Sequence, residues 1–191
     1  VGEDQKQHLE LTRDIAKKFN NDFKCDNFFP IVEPLIPKET SRVMSLRDGK
    51  KKMSKSEVSD QSRINLKDDK DLIDQKIKKA KTDNDSIPSE TNGLKNRYEA
   101  ANLVSIYASV NEIEVAKVLK EFGGKNFSTF KSKLSESIIH KICPIGDEIN
   151  KLLKNKDYLY KILENGSKKA DLIAKKNLKE IYDIVGLKKF S

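Results

Sequence analysis

Apolar residues recur at a helical period through most of this chain, and they do so in separate blocks. Gln5 to Phe19 places Leu9, Leu11, Ile15, Ala16 and Phe19 on one side, and Glu3 and Asp4 stand at its start, where carboxylates suit the helix dipole. The pattern predicts a helix closed by Asn20-Asn21-Asp22. Phe28 to Ile36 is apolar but interrupted by Pro30 and Pro34, which limits it to a short or edge strand plus loop. Ser41 to Leu46 leads into a lysine-rich loop, and Arg63 to Leu66 predicts a short strand or a link. Asp71 to Lys81 predicts a helix with Leu72, Ile73, Ile77 and Ala80 inward and Lys76, Lys78, Lys79 and Lys81 outward.

Beyond that point the pattern is nearly all helical. Thr82 to Gly93 predicts a loose loop, and Leu94 to Val110 a helix. Asn111 predicts the N-cap of a helix stopped by Gly123-Gly124. Phe127 to Leu153 repeats apolar positions over a long span, with a kink or break expected at Pro144. Asp157 to Leu163 predicts a short helical turn. Ser167 to Val185 predicts a last helix with Ala170, Ile173, Ala174, Leu178 and Ile181 aligned, ended by Gly186. The expected class is therefore α/β plus all-α. Residues 1–66 form the α/β part, and residues 67–191 form a helical bundle.

Charge narrows the partners. Lys and Arg outnumber Asp and Glu by 38 to 30, a net charge of +8, so the partner is expected to be anionic. A membrane is the weakest choice, because no apolar run approaches the roughly 20 residues that a spanning helix needs. Cys25 and Cys143 lie far apart, and His8 and His140 do not complete a ligand set, so no metal site is expected. Val1-Gly2-Glu3-Asp4 reads as a strand end entering a helix, which leads us to expect a piece of a longer protein.

Two segments carry candidate chemistry. Arg47 to Glu57 holds Lys50, Lys51, Lys52 and Lys55 with the hydroxyls of Ser54 and Ser56. Movable ammonium groups and directed donors suit a loop that closes over a polyanion gaining charge, although a charge run also serves as a wet turn. Gly2-Glu3-Asp4-Gln5 sits at a strand-to-helix turn, where a glycine admits close approach and carboxylates can accept from ribose hydroxyls.

The word Lys52-Met53-Ser54-Lys55-Ser56 resembles the KMSKS signature of class I aminoacyl-tRNA synthetases. Val1 to Asp14, Arg42 to Leu46 ahead of that word, and Lys76 to Asp83 are similar to the matching segments of bacterial and organellar tryptophanyl-tRNA synthetases. The likeness is fainter from Ile162 to Leu187. It implies a C-terminal part of a Rossmann-like catalytic domain followed by a tRNA anticodon-binding bundle. Gly2, Glu3 and Asp4 would line the ATP ribose, and Val43 would meet adenine through its backbone. Lys52, Met53, Ser54, Lys55 and Ser56 would cover the phosphates, with Lys52 and Lys55 as the catalytic charges. Gln5 would face L-tryptophan. The resemblance further implies Mg2+ carried on the ATP phosphates, tRNA(Trp) as the acceptor, a homodimeric parent and a cytoplasmic location, or mitochondrion or plastid if a transit peptide lies upstream.

The HIGH-type motif and the indole-selecting aspartate of that family have no counterpart in this sequence, so this chain alone is expected to be inactive. Asn84 to Asn92 also departs, with Pro88 and Gly93 separated where the family has a compact Pro-Gly turn. A tyrosyl-tRNA synthetase and a non-catalytic RNA-binding remnant are the competing readings.

Overall fold

The computed structural model describes residues 1–36 and 42–187, the side chain of Asp4 excepted. The described residues hold six α-helices: α1 (Lys6–Asp22), α2 (Lys70–Lys78), α3 (Tyr98–Val110), α4 (Val115–Phe122), α5 (Phe127–Lys154) and α6 (Lys156–Val185). No strand occurs among them. Their β structure is one isolated antiparallel bridge, Met44 with Lys52. Both predicted short strands are therefore replaced by loop. Pro30 and Pro34 cannot donate to a ladder. Over Arg63–Leu66 the chain turns instead, because Asp68 accepts from the Asn65 backbone N–H (2.9 Å) while its own N–H donates to the Asn65 carbonyl (3.1 Å). Ser41 lies outside the described residues.

The chain divides into two compact units. The first comprises residues 1–4 and 36–150. Its core runs through α2 to α5, with Ile73, Ile77, Leu103, Val104, Val118, Leu119, Phe130 and Leu134 all at most 1% exposed. Tyr107, Phe122 and Phe130 pack ring against ring at 5.1–5.6 Å. Four expectations change here. Lys76, assigned to the outer face of α2, is fully buried. Asn111 ends α3 instead of starting α4, since its Nδ2 donates back to the Tyr107 carbonyl at 2.9 Å. The helix expected from Leu94 begins at Tyr98, after a 3-10 turn over Thr91–Leu94. And α5 runs unbroken through Pro144. His140 and Pro144 are both exposed, which lets water serve the carbonyl that the missing N–H leaves.

The Thr82–Gly93 stretch is far from loose. Arg97 grips it through a fork on Asp83 (Nε–Oδ2 2.8 Å) and through the Ser86 carbonyl (2.9 Å). Ile87, 1% exposed, donates to the Lys125 carbonyl and accepts from Gly124. Pro88 and Gly93, separated in sequence, meet in space: a Cβ on Gly93 would lie 2.4 Å from the Pro88 Cβ.

The second unit comprises residues 5–35 and 151–191. In α1 only Ala16 is buried, and Leu11 and Ile15 stay 59% exposed, so the predicted apolar side is not a core side in this structure. Phe19, Phe23, Phe28 and Phe29 cluster at the end of α1. Asn20 fixes the return chain by bonding both the N–H and the carbonyl of Phe29. The two predicted C-terminal helices are one, because Gly166 continues the helix. It ends as expected at Gly186, in the left-handed region at φ 74°. No residue of α6 is buried.

Candidate nucleotide site on the lysine loop

The loop from Arg47 to Glu57 is a flap on two tethered ends. Its incoming end is paired with its own return: Met53 N–H donates to the Val43 carbonyl (3.1 Å) and Ser45 N–H to the Lys51 carbonyl (2.8 Å). Leu46, 2% exposed, sinks into the core and links on to Ser62 and Lys81 through its backbone. Asp48 turns the chain by accepting from the N–H of Lys50 through its side chain (3.0 Å) and of Lys51 through its backbone (3.0 Å). Gly49 lies against the start of α3, where an added Cβ would come within 2.6 Å of the Glu99 nitrogen. Lys50 lies over the Tyr98 ring at 5.1 Å.

The tip differs from the ends. Met53 is half-buried and packs against the core. It shares an apolar hollow of about 370 Å³ with Val43, Leu46, Ile64, Ile77, Ile106 and Ile138. Ser54 caps its own turn, its hydroxyl accepting from the Ser56 N–H (3.2 Å) and its carbonyl from Glu57 (3.4 Å). Lys52, Lys55 and Ser56 are exposed. Met53, Ser54 and Lys55 also line a second hollow of about 550 Å³ with Arg63 and Lys67 on its wall. The donors at this tip are ammonium groups, hydroxyls and backbone N–H, which suit anionic oxygens.

Carboxylates stand near both ends of the loop. Lys81 bonds Glu99 at 2.9 Å and, with the N–H of Gly49 as a smaller contributor, holds that carboxyl below the ordinary range. Lys76, with help from Asn65, does the same for Asp60. No group of three or more His, Cys, Asp or Glu side chains that could hold a metal occurs among the described residues. A divalent cation here would fit on the phosphates of a bound nucleotide and not on a protein cage.

At the other end of the predicted site, Gly2 is half-buried and Glu3 exposed, in a 3-10 turn over Glu3–Gln5 that runs directly into α1. Gly2, Glu3 and Asp4 belong to the same unit as the lysine loop. Gln5, exposed, is counted in the other. The residues that the sequence reading missed are those tethering the loop: Asn102, Gly49, and the set Asp60, Asp68 and Lys76. Asn102 did carry a signal, a lone amide inside the apolar run Ala100 to Val104. Lys76 carried none, since it lies in a run of lysines.

Comparison with known proteins fits this geometry. The profile described as tRNA synthetases class I (W and Y) matches residues 1–141. The tryptophan–tRNA ligase of Mesorhizobium japonicum is 50% identical over 98% of this chain, which spans 58% of that protein's length. That of Rickettsia felis is 49% identical over 97% of the chain and 56% of its own length. Among solved structures, tryptophanyl-tRNA synthetase from Mycoplasma pneumoniae superposes with a TM-score of 0.82 at 29% identity, covering 99% of this chain and 57% of that one. The Campylobacter jejuni tryptophanyl-tRNA synthetase, solved with ADP and tryptophan, gives a TM-score of 0.64 at 28% identity, over 98% of this chain and 56% of its own. With a KMSKS loop held at both ends and the family profile covering it, this chain belongs to the class I tRNA synthetases of the tryptophan and tyrosine group.

Proposed function

We propose that this chain is the C-terminal portion of a tryptophan–tRNA ligase. The whole enzyme activates L-tryptophan with ATP to tryptophanyl-adenylate and pyrophosphate, then passes the acyl group to tRNA(Trp). The observation that carries the reading is the KMSKS tip, with Lys52 and Lys55 exposed on a loop whose ends are anchored, in a chain about half identical to tryptophan ligases along nearly its full length.

In that reaction the α-phosphate is attacked by the tryptophan carboxylate. The bond to the β-phosphate breaks, and charge gathers on the departing pyrophosphate. Lys52 and Lys55 supply compact positive charge to those oxygens, and Ser54, Ser56 and the loop N–H groups supply directed donors. Val43 would meet adenine through its backbone, and Gly2, Glu3 and Asp4 would serve the ribose. Gln5 faces the amino acid. Mg2+, carried on the ATP phosphates, would offset part of their charge. Residues 1–66 would be the end of the Rossmann-like domain, and residues 67–191 the tRNA-binding bundle, whose lysines track phosphates. A homodimer in the cytoplasm is the assembly and location proposed for the whole enzyme. The exposed Leu11, Ile15, Leu172 and Ile173 fit a chain that spans 58% of its relatives' length, the rest of the enzyme supplying their cover.

The test is amino-acid-dependent ATP–pyrophosphate exchange on the full-length protein, with tryptophan and tyrosine side by side. Exchange with tryptophan alone is expected. Exchange with tyrosine would keep the chemistry and overturn the substrate. No exchange by a folded protein would favour an RNA-binding remnant.

A further inference from the structure

Two buried polar side chains of the helical region hold the two ends of the lysine loop. On the incoming end, Asn102 of α3 is 7% exposed and pairs with the Met44 backbone as a neighbouring strand would: its Oδ1 accepts from the N–H (2.9 Å) and its Nδ2 donates to the carbonyl (2.9 Å). Met44 is the residue whose bridge partner is Lys52. On the outgoing end, the fully buried Lys76 of α2 bonds two carboxylates, Asp60 and Asp68, at 2.6 Å each. Arg63 bonds Asp60 at 2.9 Å and also donates to the Glu57 carbonyl at 2.9 Å, one residue past the KMSKS word. Asn65 donates to both aspartates, at 2.9 and 3.1 Å. Two cations thus meet two carboxylates, and the local charge balances.

Stability alone is a poor reason for this arrangement. Replacing a buried ion pair by packed apolar residues of equal volume is commonly neutral or stabilising. A directional pair of bonds from one amide, or from one ammonium, does something that apolar packing cannot: it fixes the place and direction of a backbone segment. Here Asn102 fixes the incoming segment directly, and Lys76 fixes the outgoing one through Asp60 and its partner Arg63, which leaves Lys55, at the tip, exposed. We propose that Asn102 and Lys76 are positioning residues for phosphoryl chemistry on the lysine loop. They set where the loop begins and ends, so that its tip closes along one path. The proposal rests on the functional reading above for its kinetic consequence and on geometry alone for its structural one.

The test uses the full-length protein. Asn102→Leu keeps the volume and removes both bonds. Lys76→Met is made together with Asp60→Asn and Asp68→Asn, so that no buried carboxylate is left alone, and Lys76→Arg is the conservative partner. Each is assayed for kcat and for the KM of ATP and of tryptophan in pyrophosphate exchange, for melting temperature, and for trypsin cleavage at Lys50 to Lys55. Asn102→Leu and the triple variant are expected to lose about tenfold or more in kcat, with the tryptophan KM little changed. Loop cleavage should rise about fivefold while the rest of the chain stays resistant. Lys76→Arg should recover part of both. A kcat that falls only as far as the folded fraction falls, with loop cleavage unmoved, would overturn the proposal. If the wild type shows no exchange, the functional reading falls, and the trypsin comparison still decides the positioning claim.

Discussion

Replacing Arg97 tests how the connection between α2 and α3 is held. Arg97 forms a two-pronged pair with Asp83, is only 18% exposed, and donates to the carbonyls of Ser86 (2.9 Å) and Asp85 (3.3 Å). Its guanidinium also lies 5.8 Å from the centre of the Phe127 ring. Asp83 is 35% exposed, so solvent weakens the Coulomb part of the pair. Hydrogen bonds to charged groups contribute about 1.5–3 kcal/mol, and after that discount Arg97→Met should cost about 2 kcal/mol. For a domain of this size that is a fall in melting temperature of about 4–8 °C. Arg97→Lys keeps the charge but loses the planar fork and the two carbonyl contacts, so it should recover about half of the loss or less.

Differential scanning calorimetry of the full-length protein measures both variants. Hydrogen exchange at Ile87 gives the local reading, since its amide bond to Lys125 depends on the clamped segment. A melting temperature unmoved in Arg97→Met would refute the clamp. Full recovery in Arg97→Lys would show that the fork is not what matters. The same pair has a pH signature. Asp83 is held below its ordinary 3.8 chiefly by Arg97, so its contribution is complete above that value and is lost as pH falls through the depressed one.

Lys55→Ala should lower the rate of tryptophan activation far more than the affinity for ATP, as single-turnover kinetics would show; equal losses in both would sink its assignment to the transition state. Gly49→Ala forces a Cβ to within 2.6 Å of the α3 backbone, so a cost of about 1–3 kcal/mol and faster trypsin cutting of the loop are expected, and an unchanged melt would contradict the close approach. Pro144→Ala restores an N–H inside α5 and should raise the melting temperature; a fall would mean that the proline has a role in this helix that its exposure does not reveal. Glu99 and Glu136 are held below their ordinary 4.5 chiefly by Lys81 and Lys133, and both lysines are held above 10.5 by the same pairings. Stability from these pairs should therefore persist between those two values and decline outside them on both sides, which urea titration at stepped pH would measure.

What could be read from the sequence follows from which interactions are local. Helices α2 to α5 announced themselves through apolar spacing, and Gly123 and Gly186 ended helices where expected. The reading failed where a distant partner decides. Lys76 looks like any lysine of its run until Asp60 and Asp68, eight and more residues away, fold over it. Asn111 reads as an N-cap, yet its amide finds the Tyr107 carbonyl behind it. The Thr82 to Gly93 stretch has the composition of a loose loop, but composition does not show that Arg97 grips it. Periodicity predicts an apolar side on α1 and α6. It does not say what lies against that side, and in these helices Ala16 is the only buried position.

The lysine loop shows why local and distant signals divide in this way at a working site. Its recognisable word, Lys52 to Ser56, carries the groups proposed to reach a ligand, and these are exposed or sit at the edge of a hollow. The groups that make the word useful, Asn102, Lys76 and Gly49, are buried, and their residue types look ordinary in sequence. Contacts that form only as charge builds on the leaving group raise the rate, whereas contacts already made to bound ATP do not. A tip free to adjust meets the first requirement. Ends free to adjust would not, because an unanchored loop would spend its binding energy on ordering itself. Fixed ends and an open tip are therefore one requirement seen from two sides, and the helices supply the half that the signature word leaves out.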